Sequence, residues 1–60
     1  MKYYEETIYD NEGILIIAEN GIINVYDNGG NHYTLTDTED NRREAIRDAE
    51  NTIAIWNEER

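Results

Sequence analysis

The chain has 60 residues, with fourteen acidic against five basic side chains, a formal net charge of −9, and neither cysteine nor proline. That length allows one small domain, near the lower limit at which a core without disulfides or metal outweighs chain entropy, and the missing cysteine excludes a disulfide framework, a thiolate zinc site and a thiol nucleophile. The charge opposes binding to nucleic acid or anionic membrane, where affinity rests on cationic side chains; it points to a basic protein surface as partner, although surplus Asp and Glu also simply keep small proteins soluble.

The longest apolar run, residues 13–18, is far too short to cross a bilayer, and Met1-Lys2 leads straight into a tyrosine-rich strand without a signal-peptide pattern. The expectation is a soluble intracellular protein. Residues 3–9, YYEETIY, have the β-branched and aromatic composition of a half-buried strand, and Asp10-Asn11-Glu12-Gly13 reads as a turn. Residues 14–19, ILIIAE, form the clearest strand. Asn20-Gly21 after it is the strongest short-range hairpin signal in the chain, because a type I′ turn needs positive φ at both positions. Residues 22–27, IINVYD, return beside it.

A two-residue loop fixes the register of this hairpin. Pairing Glu19 with Ile22 puts Ile14, Ile16, Ala18, Ile23 and Val25 on one wholly apolar face, and leaves Leu15, Ile17, Ile22, Asn24 and Tyr26 on the other. Next comes Asn28-Gly29-Gly30-Asn31, then a last strand, residues 32–36. A three-residue loop of Asn28, Gly29 and Gly30 sets Tyr33 opposite Val25 and Leu35 opposite Ile23, both on the apolar face; a four-residue loop would turn them outward.

From Thr36 onward the pattern becomes helical. Ala45, Ile46, Ala49, Ile53 and Trp56 recur at three-to-four spacing. The start is marked three ways: Thr36 with Glu39 fits a capping box, and Asp37 and Thr38 are each good N-caps. Glu44, Asp48, Asn51 and Glu58 fall toward solvent with Ile55 among them, an interface candidate, although single exposed apolar residues are ordinary. The expected fold is α+β, a four-stranded antiparallel meander with one C-terminal helix packed on one face (ββββα), in a single domain.

One helix covers one face of a sheet. Leu15, Ile17, Ile22 and Tyr26 on the other face therefore predict either a homodimer or a docking surface for another protein, with Tyr3, Tyr4 and Tyr26 as possible aromatic anchors.

Little in the sequence points to catalysis. The chain has no serine, and its sole histidine, His32, lacks an evident second group for nucleophilic chemistry. The oxygen-rich stretches DNEG, DNGGN and DTEDN do not meet the ligand spacing of a calcium loop, and the Asn20-Gly21 and Gly29-Gly30 turns carry no phosphate-loop lysine. The expectation is a protein that is not an enzyme and uses no cofactor or metal.

What remains is the arrangement of negative charge. Asp37, Glu39, Asp40, Glu44, Asp48 and Glu50 span roughly 20 Å of helix, about one charge per 3–4 Å, close to the roughly 3.4 Å phosphate spacing of one DNA strand. Arg42, Arg43 and Arg47 temper this, since Glu39 with Arg43 and Glu44 with Arg47 are ordinary helix pairs.

The run VYDNGGNHYTLTDTEDN, Val25 to Asn41, followed by a helix ending Trp56-Asn57-Glu58-Glu59, resembles the strand, glycine-asparagine turn, strand, acidic cap and helix of small phage anti-CRISPR proteins of type II. That resemblance implies a phage-borne inhibitor that occupies the groove where an RNA-guided nuclease reads its short duplex motif through arginines, and a place in the cytoplasm of the infected host cell. Gly30, Asn31 and Tyr33 match the turn and strand, and Asp37, Glu39 and Asp40 the acidic cap; His32 stands where an acidic residue is expected. A second resemblance is that of EAIRDAENTIAIW, Glu44 to Trp56, after an N-terminal MKY strand, to antitoxins of the HicB type, which mask a partner toxin.

The leading expectation is an inhibitor in which Asp37, Glu39, Asp40, Glu44 and Asp48 stand in for phosphates, Asn31 makes a polar turn contact and Ile55 adds apolar burial. The alternative is an antitoxin-like or dimeric module that uses the open sheet face.

Overall fold

The computed structural model describes residues 5–59; Tyr3 and Tyr4 lie outside them. Four strands, β1 (Glu5–Asn11), β2 (Ile14–Glu19), β3 (Ile22–Tyr26) and β4 (His32–Thr36), precede one helix, α1 (Glu39–Glu58). The strands pair antiparallel in sequence order, so the ββββα meander expected from the sequence is the observed fold.

The central hairpin has the register its two-residue loop dictates, from Glu19 opposite Ile22 to Leu15 opposite Tyr26. Asn20 and Gly21 take φ of 51° and 81°, as a type I′ turn requires. β1 differs from the sequence reading. It runs on to Asn11, which pairs with Ile14, so the turn shrinks to Glu12-Gly13. Glu12 adopts a φ of 51°, a left-handed conformation that a glutamate seldom takes. Gly13 is needed both for its φ of 86° and for space, because a Cβ there would lie 2.7 Å from the Asn28 amide nitrogen.

The β3–β4 connection is the three-residue loop. The Asp27 N–H donates to the Asn31 carbonyl at 3.1 Å, the Gly30 N–H donates to the Asp27 carbonyl at 3.3 Å, and Gly30 supplies the left-handed residue at φ 88°. Tyr33 consequently pairs with Val25, and Leu35 with Ile23.

Of the three candidate caps, Thr38 is the one used. Its backbone is extended and its hydroxyl accepts from the Asn41 N–H at 3.0 Å. The Asn41 side chain donates back to the Thr36 carbonyl at 2.9 Å, which joins the first helical turn to the end of β4.

The core is the apolar sheet face under the helix. Ile14, Ile16, Ile23 and Val25 are buried against Ala45, Ala49 and Ile53, with Ile8, Tyr9, Leu35, Ile46 and Trp56 packed around them. Ile16 and Ile23, paired with Val25 and Ala18 respectively, are fully enclosed. Two alanines on the buried helix stripe let the helix backbone approach the sheet closely. Tyr33 shares this face but remains 44% exposed at the sheet margin.

Candidate functional site

The helix presents two unlike flanks. At about 100° per residue, with the buried stripe through Ala45, Ala49 and Ile53 taken as the centre, Glu44, Asp48 and Ile55 fall on one flank and Arg43 on the other, with Arg47 near the outermost line of the helix. Contacts with the sheet orient these flanks. Arg42 reaches Glu6 of β1 at 3.4 Å. On the other side, Asp48, Ala49 and Thr52 line a cavity of about 70 Å³ with Ile14, Val25, Asp27 and Tyr33. The Glu44–Asp48 flank therefore borders β4.

The five acidic residues expected to stand in for phosphates fall into three environments. Asp37 is half-buried and gripped by Arg42, whose Nε donates to Oδ1 at 2.6 Å and Nη2 to Oδ2 at 2.9 Å. These hydrogen bonds, with the guanidinium charge, hold the Asp37 carboxyl below its ordinary range and push the Arg42 pKa up. Glu39 and Asp40 are about 90% exposed and share Arg43, at 3.8 and 3.5 Å. Glu44 and Asp48 make no ion pair among the described residues; the pairing of Glu44 with Arg47 expected from the sequence is not formed, although the two are i,i+3 neighbours on the helix.

Tyr33 belongs to this unpaired group. Burial, and then the negative charges of Asp48 and Glu44, push its phenol pKa up. The loop supplies the far end of the strip. Asp27 accepts from the Gly29 N–H at 2.9 Å, the Asn31 N–H at 3.0 Å and the Asn31 side-chain amide at 3.1 Å. The Asn31 bonds, side chain first, lower the Asp27 pKa. Asn31 is thus a fixed, exposed residue beside the strip. Ile55, 54% exposed, lies further along the Glu44–Asp48 flank.

The helix and loop therefore bring together Asn31, Glu44 and Asp48 with Asp27 and Tyr33, set Glu39 and Asp40 apart with Arg43, and commit Asp37 to an internal ion pair. Tyr33 and Asp27 were not singled out as site residues in the sequence. The register did place Tyr33 on the helix-facing side, but only the narrowness of one helix over four strands shows that it stays accessible.

The open sheet face forms three rows across the strands: Glu5, Glu19, Ile22 and Thr36; Thr7, Ile17, Asn24 and Thr34; and Asp10, Leu15, Tyr26 and His32. Ile22 is 42% and Tyr26 38% exposed, with half-buried Leu15 opposite Tyr26 and half-buried Ile17 opposite Asn24. His32 stacks on Tyr26 with ring centroids 4.4 Å apart and planes within 4°, and its Nε2 lies 3.2 Å from Asn24 Oδ1. None of the arginines among the described residues lies on this face. The result is an apolar centre with a polar and acidic margin.

Among the described residues, no three His, Cys, Asp or Glu side chains are placed to hold a metal ion, and no helix is long and apolar enough to cross a membrane. The 70 Å³ cavity is well below the roughly 300–1,000 Å³ of small-molecule sites. No protein-family model matches the chain, and no curated protein or solved structure matches it.

Proposed function

We propose that this protein is a non-enzymatic inhibitor that occupies a basic, nucleic-acid-binding surface of another protein. The observation that carries the reading is that Glu44 and Asp48, on the β4 side of α1, make no ion pair among the described residues, while Arg43 is engaged by Glu39 and Asp40 on the opposite flank. A surface built to bind phosphates carries unpaired Lys and Arg, and it gains from carboxylates that are not already neutralised. Glu39 and Asp40 extend the acidic surface with partial neutralisation, Asn31 gives a polar contact, and Ile55 adds apolar area. Asp37 is withdrawn from direct contact and orders the helix start instead. The resemblance to type II anti-CRISPR proteins makes a CRISPR nuclease of an infected host cell the first target to assay.

The test is capture of partners from cells that carry phage-defence systems, washed at low and at high salt, with wild type and the Glu44→Lys/Asp48→Lys variant side by side. The reading expects a basic nucleic-acid-binding effector that is lost at high salt, displaced by its own nucleic acid, and absent from the variant. Retention of the effector by the variant would overturn it.

A second reading rests on the open sheet face. Ile22 and Tyr26, flanked by Leu15 and Ile17, give an antitoxin-like or dimeric module an apolar docking centre. Such binding would change little with salt, and Ile22→Asp would abolish it.

A further inference from the structure

We propose that the outer edge of β4 accepts an extended basic strand of the partner protein, continuing the sheet by one strand. This rests on the reading that the Glu44–Asp48 flank meets a basic partner, and it specifies how the two are joined.

The inference begins with hydrogen-bond parity. At one end of the β3–β4 ladder the Asp27 N–H donates to the Asn31 carbonyl; at the other the Asp37 N–H donates to the Gly21 carbonyl at 2.9 Å. Between them Tyr33 faces Val25 and Leu35 faces Ile23. In an antiparallel ladder the bonded pairs alternate, so Asn31, Tyr33, Leu35 and Asp37 turn their main-chain groups toward β3. His32, Thr34 and Thr36 turn theirs away. The Thr36 carbonyl is taken by the Thr38 N–H at 3.0 Å and the Asn41 side chain at 2.9 Å. The N–H and C=O of His32 and Thr34, and the N–H of Thr36, remain directed outward.

The two edges of the sheet are not equivalent. β1 is interrupted by a bulge between Thr7 and Tyr9 and carries Glu5, Glu6 and Asp10, features that discourage pairing. β4 pairs without a register shift and contains no proline, lysine or acidic residue. It is the edge left available to a further strand.

Charge selects the occupant. Alternate side chains of an added strand would stand on the helix side next to Tyr33, under Glu44 and Asp48, where lysine or arginine is favoured. Residues between them would stand beside His32, Thr34 and Thr36. A second copy of this chain fits poorly, since pairing β4 with β4 would bring two acidic flanks and two formal charges of −9 together.

The test uses two end-capped heptapeptides of one composition, KVKVKVK and KKKKVVV, with the intact protein at low salt. Fluorescence anisotropy measures affinity, and amide hydrogen exchange reads the edge. Strand addition predicts that the alternating peptide binds about tenfold tighter or more, slows exchange at His32 and Thr34, and loses its advantage on Thr34→Pro. Proline is tolerated on an edge strand where its missing N–H faced solvent; exchange in the wild type gives the answer independently if that variant misfolds. Equal affinity for the two peptides, or binding without protection of His32 and Thr34, overturns strand addition. If that equal binding vanishes in Glu44→Lys/Asp48→Lys, the charge reading stands; if it survives there, both fall. Protection of the same amides by concentration-dependent dimerisation without peptide overturns the proposal in favour of a second copy.

Discussion

Arg42 and Asp37 meet fork to fork, with Nε 2.6 Å from Oδ1 and Nη2 2.9 Å from Oδ2. The same guanidinium reaches Glu6 of β1 at 3.4 Å, so one arginine joins the segment before the helix to the opposite edge of the sheet. Two parallel bonds need a planar fork that lysine lacks. Thermal unfolding should therefore rank wild type above Arg42→Lys, and Arg42→Lys above Arg42→Ala. Equal melting temperatures for the lysine variant and wild type would show that only charge matters at this site.

The pair also sets a pH dependence. The Asp37 pKa lies below its value in an unfolded chain, so the unfolded state binds the proton more readily. The contribution of Asp37 is fully present above the unfolded value of about 3.9 and is lost as pH falls through the lower folded value. Urea melts of wild type and Asp37→Asn should differ most near neutral pH and converge below about pH 4. A gap that stays constant down to pH 2 would remove Asp37 as its source.

The N-cap gives a local test. Thr38→Ala removes the hydroxyl that accepts from the Asn41 N–H and should cost about 1 kcal/mol, within the roughly 0.5–2 kcal/mol range of such caps. In a domain this small, that is about 4–8 °C in melting temperature. Thr36→Ala, at the unused capping position, should leave the helix start unchanged by circular dichroism.

Ile22 and Ile23 are neighbours in sequence with opposite fates, 42% exposed and fully enclosed. Ile23→Ala should cost about 2–5 kcal/mol, comparable with the roughly 3–5 kcal/mol that a core of this size supplies, and leave much of the chain unfolded at room temperature. Ile22→Ala should change stability by about 0.5 kcal/mol or less. Chemical denaturation of both variants measures the contrast, and similar losses would place Ile22 in a buried interface between copies.

The parts of the fold legible in the sequence are those fixed by short-range rules. Asn20-Gly21 determines a turn, the turn determines a register, and the register determines which isoleucines face the helix. Gly30 does the same for β4. The extent of β1 was not legible, because it depends on Glu12 taking a left-handed conformation and on a bulge after Thr7, neither of which has a strong local signature. The acidic surface was legible as a set of residues but not as a pattern of availability. Asp37 and Glu44 look alike in sequence; the contact between Arg42 and Glu6, 36 positions apart, helps hold the arginine that occupies Asp37. Tyr33 was placed on the correct side of the sheet, and its exposure follows from helix position, a tertiary property.

Each strand pairs with its sequence neighbour, and the helix that covers the apolar face follows all four. Tight turns and nearest-neighbour pairing give a low contact order, which favours rapid folding. The residues that cover Ile14, Ile16, Ile23 and Val25 nevertheless belong to the last element of the chain. Until that helix docks, the sheet carries apolar side chains on both faces, and its acidic side chains are the means at hand to keep neighbouring chains apart.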